Sequence, residues 1–213
     1  MEYYELCKLD ETVPLKKQNL FAPKLPFRLE VVGTSELGKT KMVVHQLLGS
    51  KYPKVYLWMS GEKRGHKIPK GESKNFGERY IPSKDKQALW YENVRFKLIA
   101  PEELPDISSF KRTGQFTVIV FDDLAGEPLA TQLKIVSFFR SGRHEGISSI
   151  YIAQRFYEIH QNICRNFKYI SLHRGCGTLD SIKRILKDMY DDYEPLAKKV
   201  YEVIKKHFVV IDI

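Results

Sequence analysis

Short apolar runs recur along the chain, separated by stretches with helical spacing or by charged loops. Phe27–Val32, Lys54–Met59, Val94–Ile99, Thr117–Phe121, Ser148–Ala153, Lys168–Leu172 and Phe208–Ile211 are rich in β-branched and aromatic residues, which predicts strands. Several are apolar nearly throughout rather than alternating, the pattern of strands covered on both faces of a mainly parallel sheet. Helical spacing follows at Lys41–Leu48 and again at Pro128–Arg140, where a proline stands in the first turn. In that second helix Leu129, Leu133 and Val136 fall on one face. Leu179, Ile182, Leu186 and Met189 make a similar stripe, as do Leu196, Val200 and Val203. All three stripes are expected to pack in the core. Strands alternating with helices predict an α/β domain with a central, mainly parallel sheet flanked by helices.

Two stretches break the pattern. Residues 1–26 carry Pro14, Pro23 and Pro26 with little periodicity and read as an N-terminal arm, leaving 27–213 as the domain. Residues 60–83 are rich in glycine and charge, with Lys63, Arg64, His66, Lys67, Lys70 and Lys74 close together. A connection this long inside a domain is either a working loop, here one able to grip a phosphate backbone, or a solvated insertion.

Composition narrows the class. A chain of 213 residues builds one substantial core. No apolar run approaches about 18 residues, so no membrane span is expected. The N-terminal MEYYELCKLDE is acidic and lacks the apolar core of a secretion signal. Cys7, Cys164 and Cys176 are odd in number and show no CxxC spacing, which favours reduced thiols over zinc or a disulfide framework. The charge of +9, from 35 Lys+Arg against 26 Asp+Glu, suits a polyanionic partner such as nucleic acid, though charge alone does not decide it.

Gly33-Thr34-Ser35-Glu36-Leu37-Gly38-Lys39-Thr40 reads GxxxxGK[ST], a Walker A phosphate loop, between a predicted strand and a predicted helix. The glycines let the backbone curl so that its N–H groups point at phosphate oxygens, and the helix N-terminus adds partial positive charge. Gly33 through Lys41 are therefore the expected ATP contacts. Lys39 reaches the β- and γ-phosphates and the Thr40 hydroxyl holds Mg²⁺.

The run Thr117–Phe121 ends in Asp122-Asp123, a Walker B pattern. Asp122 is the candidate second metal-holding group. Asp123 is placed to orient or deprotonate the attacking water. Many hydrolytic P-loop enzymes carry Glu there; Asp is one methylene shorter and must sit closer or act through a further water. The strand Ser148–Ala153 ends at Gln154, an amide suited to sensing the γ-phosphate. Between these strands lies Arg140-Ser141-Gly142-Arg143-His144. An Arg here, Arg143 first and Arg140 second, can project into a neighbouring subunit's nucleotide site and neutralise transition-state charge. The plainer alternative is a helix-terminal Arg satisfying carbonyls.

The order GxxxxGKT, a strand ending DD-L, a helix into SGRH and a strand ending AQ resembles the genome-packaging ATPases of large double-stranded DNA viruses of the poxvirus-like type. These belong to the FtsK–HerA group of P-loop motors, of the ASCE type. Ile159–Ile170, with Ile163, Arg165 and Asn166, and the end Phe208-Val209-Val210-Ile211-Asp212 are similar to that family as well. The likeness spans about residues 27–212. It implies a Mg²⁺-dependent ATPase in a homo-oligomeric ring, a pentamer or hexamer, driving double-stranded DNA into a preformed capsid or portal vertex. It further implies nucleotide at subunit boundaries, an Arg supplied in trans, and work in the host-cell cytoplasm or viral factory, with the virion as a further location. The alternatives are another DNA motor (a helicase or conjugation-type pump), a small nucleotide kinase, or a nucleotide-gated capsid protein. A helicase assay separates the other DNA motors, DNA-stimulated turnover tells a motor from a kinase, and absence of phosphate release would mark the capsid protein.

Overall fold

All the strands expected from the apolar runs form, and they share one seven-stranded sheet. The computed structural model describes residues 26–35, 38–40, 42–43, 54–59, 96–110 and 117–213, with backbone alone at 54–59 and 96–98. The arm up to residue 25, the basic stretch 60–83, Cys7 and most of the helix expected at Lys41–Leu48 lie outside the described residues.

The strands are β1 (Arg28–Val32), β2 (Lys54–Met59), β3 (Phe96–Ile99), β4 (Thr117–Asp122), β5 (Ile147–Ala153), β6 (Tyr169–Leu172) and β7 (Val209–Asp212). Their order across the sheet is β3-β2-β4-β5-β1-β6-β7. Every neighbouring pair runs parallel except the last, where β7 returns antiparallel beside β6. Central β4 and β5 are buried along nearly their whole length, as their unbroken apolar runs require. Ser148 and Ser149 interrupt β5, but both are satisfied. Ser148 Oγ accepts the Phe27 N–H at 3.1 Å and the Ser149 hydroxyl donates to Phe138 O at 3.3 Å.

The described helices are α1 (Leu129–Ser141), α2 (Gln161–Cys164), α3 (Leu179–Lys187) and α4 (Tyr193–Ile204); among them none is long and apolar enough to cross a membrane. Helix α1 starts after Pro128 and buries Gln132, Ile135, Val136, Phe138 and Phe139. Phe138 and Phe139 meet Phe121 at ring-centroid distances of 5.6 and 5.9 Å, and Phe139 meets Phe167 edge-on at 5.2 Å. Such aromatic pairs add about 0.5–1.5 kcal/mol each beyond the area they bury.

This aromatic layer corrects one expectation. Leu129 and Leu133 were expected in the core with Val136, yet they are 64% and 51% exposed. The two phenylalanines carry more apolar area than the leucines and fix which side of α1 faces the sheet, so Leu133 points away and Leu129 lies outward in the first turn. Val203 is likewise exposed, because the inner face of α4 runs through Ala197, Val200 and Ile204. The stripe at Leu179, Ile182 and Leu186 packs as expected, with Ile182 and Leu186 fully buried. Cys164 and Cys176 are free thiols, and burial pushes them up to about 12 and about 11.

Candidate nucleotide site

Strand β1 lies between β5 and β6 in the interior of the parallel sheet, and its C-terminal end opens directly into the glycine loop. The crevice beyond the carboxyl ends of such strands is where open α/β sheets bind ligands. Gly33 N–H donates to Ala153 O at 3.3 Å, and Thr34 N–H donates to Arg174 O at 3.3 Å. The loop is therefore tied to the ends of both neighbouring strands. A Cβ at Gly33 would lie 2.6 Å from the Cβ of His173, so the first glycine is required by close packing. Gly38 has a φ of 75°, a left-handed conformation that glycine adopts at little cost. The backbone turns helical at Lys39, and Met42 N–H donates to Gly38 O at 2.7 Å.

Lys39 is buried, and its ammonium donates to Gly33 O at 2.5 Å and Thr34 O at 2.7 Å. The charge is thus held over the mouth of the loop, where phosphate oxygens offer the same acceptor chemistry with full negative charge. The Thr40 hydroxyl donates to Asp122 Oδ2 at 3.3 Å. That contact joins the first turn of the loop's helix to the tip of β4. A hydroxyl and a carboxylate side by side, next to a phosphate cradle, are the hard oxygen donors that suit Mg²⁺, so the residues present fit the metal.

Asp123, next in the chain, has a φ of 58°. Left-handed backbone is uncommon outside glycine, although Asp and Asn tolerate it better than most. Its N–H donates to Ile152 O at 2.9 Å, which pins the bend to β5. Beyond it, the Gln132 side chain donates to Leu124 O, anchoring α1 to the same loop. Gln154 follows Ala153 at the end of β5 and is exposed. Because Ala153 O is the acceptor for Gly33 N–H, Gln154 stands at the rim of the glycine loop. Glu36, Leu37 and Lys41 lie outside the described residues.

Arg140 and Arg143 are exposed and stand elsewhere. They end α1 and lead into the amino-terminal end of β5. The seven residues of β5 separate them from Gln154, a span of about 20 Å at the usual strand rise. Arg28, at the start of β1, donates to Phe139 O at 3.4 Å beside them. Burial, and then the Arg143 charge, lower its pKa. These arginines therefore lie at the amino-terminal ends of the strands, remote from their own phosphate loop.

One part of the site was missed in the sequence: the turn after β6. His173 N–H donates to Val32 O at 2.7 Å, and the ring makes a 3.1 Å contact from Nε2 to Ser171 Oγ. It stacks on Phe208 with centroids 5.0 Å apart. Burial, then the nearby Lys39 charge, depress its pKa to about 4, so the ring is neutral at pH 7. Gly175, with a φ of 72°, would place a Cβ 2.5 Å from Thr34 Cγ2. The HRGCG run after a predicted strand was the available signal, but only the strand order shows that this strand neighbours β1.

The fold and the site together define a P-loop nucleotide-binding protein of the α/β class. Residues 13–190 match the family model described as Poxvirus A32 protein, and the chain belongs to that family. No curated protein matches the sequence. The fold is similar to that of the DNA-packaging ATPase B204 of Sulfolobus turreted icosahedral virus, with a TM-score of 0.56 at 15% identity over 88% of this chain and 93% of that one. It is also similar to the genome packaging NTPase B204 of Sulfolobus turreted icosahedral virus 2 in complex with ATP-gammaS, with a TM-score of 0.54 at 14% identity over 88% and 92% of the two chains.

Proposed function

We infer that this protein is an ATP-hydrolysing motor that translocates double-stranded viral DNA into a preformed capsid. The observation that carries the reading is the contact between Thr40 and Asp122, which closes a phosphate loop against an acid-tipped strand in a chain of the Poxvirus A32 protein family. One B204 protein is described as a DNA-packaging ATPase and the other as a genome packaging NTPase in complex with ATP-gammaS, which supports both the task and the substrate.

The roles follow from placement. The N–H groups of the loop and Lys39 hold the β- and γ-phosphates of ATP. Thr40 and Asp122 would hold Mg²⁺, which would supply positive charge to neutralise the phosphates during γ-phosphoryl transfer. Asp123 orients the attacking water and accepts its proton. Gln154 contacts the γ-phosphate from the end of β5. Arg143, with Arg140 as the second choice, completes the site of the next subunit in a homo-oligomeric ring.

The remote position of these arginines supports action in trans, since a residue about 20 Å from its own phosphate loop cannot serve it. The ring is a pentamer or hexamer, docked on the capsid or its portal vertex in the host-cell cytoplasm or viral factory. Residues 1–26 form an arm on the 27–213 ATPase domain. DNA contacts are to the phosphate backbone, so binding weakens with salt and ignores sequence.

Phosphate release measured against protein concentration, with and without double-stranded DNA, tests the reading. Turnover per subunit should rise with concentration as rings assemble and rise further with DNA. Absence of phosphate release under every condition, or turnover indifferent to DNA, would overturn it.

A further inference from the structure

We propose that Arg174 is a phosphate ligand in cis, contacting the nucleotide held by its own subunit's loop. This rests on the reading of Gly33–Thr40 as a nucleotide site. The turn from His173 to Gly177 is built against that loop through its own backbone, with the Thr34 hydroxyl also donating to Arg174 O at 3.5 Å. His173 N–H is tied to Val32 O, Thr34 N–H to Arg174 O, and Cys176 N–H to His173 O at 3.1 Å. The approach is so close that neither Gly33 nor Gly175 has room for a Cβ. His173 is fixed by Ser171 and Phe208 on the inner side. The turn thus has a set conformation without any contribution from the Arg174 side chain.

That side chain is exposed, as are Thr34 and Ser35 beside it. Among the described residues its guanidinium has no hydrogen-bond or carboxylate partner. The described acids of the site, Asp122 and Asp123, belong to the β4 end, and β5 and β1 lie between β4 and β6. A second cation is therefore tethered, through the backbone of its own residue, beside the loop that carries Lys39, with no acid among the described residues placed against it, an arrangement that a bound polyanion makes favourable. The planar fork of Arg suits phosphate oxygens, which it can take two at a time. Approach from the β6 flank leaves the metal side and the water side, both toward β4 and β5, unobstructed. Arg174 is thus distinct from Arg140 and Arg143, which stand at the amino-terminal ends of the strands.

The test is calorimetric titration of the full chain with ATP-gammaS and with ADP, in Mg²⁺, at a concentration where the protein is monomeric. Arg174→Ala should weaken ATP-gammaS binding about tenfold or more. Arg174→Lys should recover part of the loss. The thermal midpoint without nucleotide should match the wild type, since only the backbone of residue 174 is engaged. Wild-type affinity in Arg174→Ala would overturn the proposal, as would a loss seen only in assembled rings or a lowered midpoint without nucleotide. Lys39→Ala serves as the reference for a damaged site. If the wild type binds no ATP-gammaS, the nucleotide reading itself falls and this inference with it; if the wild type binds and Arg174→Ala binds equally well, only the inference falls.

Discussion

The Thr40 hydroxyl and the Asp122 carboxylate, 82 residues apart in the chain, meet at 3.3 Å. Neither element makes a metal site alone: the hydroxyl begins a helix and the acid ends a strand two places away across the sheet. Their meeting depends on the parallel register that sets Asp122 opposite Ile152 and Val32 opposite Ala153. Asp122→Asn keeps the shape and removes the charge. Phosphate release should fall on the order of a hundredfold or more, the usual size of losing a group that stabilises transition-state charge. Thr40→Ser, which keeps the hydroxyl, should retain most of the rate. Full turnover in Asp122→Asn would remove it from the metal site.

Asp123 combines a chemical task with an unusual backbone, and two substitutions separate them. Asp123→Asn can hold the left-handed φ of 58° but accepts no proton. It should bind ATP, keep its thermal midpoint and lose hydrolysis. Asp123→Ala lacks the side chain that makes this conformation tolerable, so it should also lose about 1 kcal/mol of stability. Chemical denaturation and phosphate release read the two effects independently. Equal stability of Asn and Ala variants would show that the bend carries no strain.

The strands were legible because each is a local run. β2 has the bounds its sequence suggests, and β5 differs only in beginning at Ile147. The phosphate loop and the acid pair were legible for the same reason. What escaped depends on relations between distant elements. Which face of α1 packs was decided by Phe121 and Phe167, strangers to that helix in sequence, and so Leu129 and Leu133 turned outward. The turn at His173–Gly175 joined the site only because β6 neighbours β1. The remoteness of Arg140 and Arg143 from their own loop likewise follows from the direction of β5, which periodicity does not reveal.

Gly175 offers a test of that hidden part of the site. A Cβ there would lie 2.5 Å from Thr34 Cγ2 and 2.7 Å from its hydroxyl oxygen, on a backbone at φ 72°. Gly175→Ala should cost about 1–3 kcal/mol of stability and weaken ATP binding by displacing Thr34. Adding Thr34→Ser removes the nearer methyl, so the double variant should regain part of both losses. Additive losses would place the damage in the turn's own backbone rather than in its contact with the loop.

Arg143→Ala should abolish turnover while leaving nucleotide binding to the monomer intact, because the residue stands at the opposite end of β5 from its own loop. Mixed with Asp123→Asn subunits, themselves inactive, it should regain partial activity. Some interfaces would then pair an intact Asp123 with an intact Arg143. The same mixture made with Arg140→Ala identifies which arginine acts. Failure of every mixture to recover phosphate release would argue against an arginine supplied by a neighbour.

Glu30 is the strangest residue of β1. It is fully buried between Tyr151 of β5 and Ile170 of β6, and neither carboxyl oxygen has a hydrogen-bond partner among the described residues. Burial raises its pKa well above the ordinary value of 4.5, because the charged form would be stranded in the core. The unfolded chain releases this proton as pH rises past that ordinary value, while the folded chain keeps it. Folded protein therefore binds more protons, and stability from this group is complete at low pH. It declines with rising pH by up to about 1.4 kcal/mol per unit until the folded group also ionises. Glu30→Gln keeps the shape and has no proton to lose. It should match or fall slightly below the wild type near pH 4 and exceed it at pH 8, the gap opening as pH rises past the ordinary carboxylate range. Thermal midpoints of both proteins across that range measure the difference. A gap that is constant with pH, or that widens toward acid, would mean Glu30 is ionised in the folded protein and has found a partner.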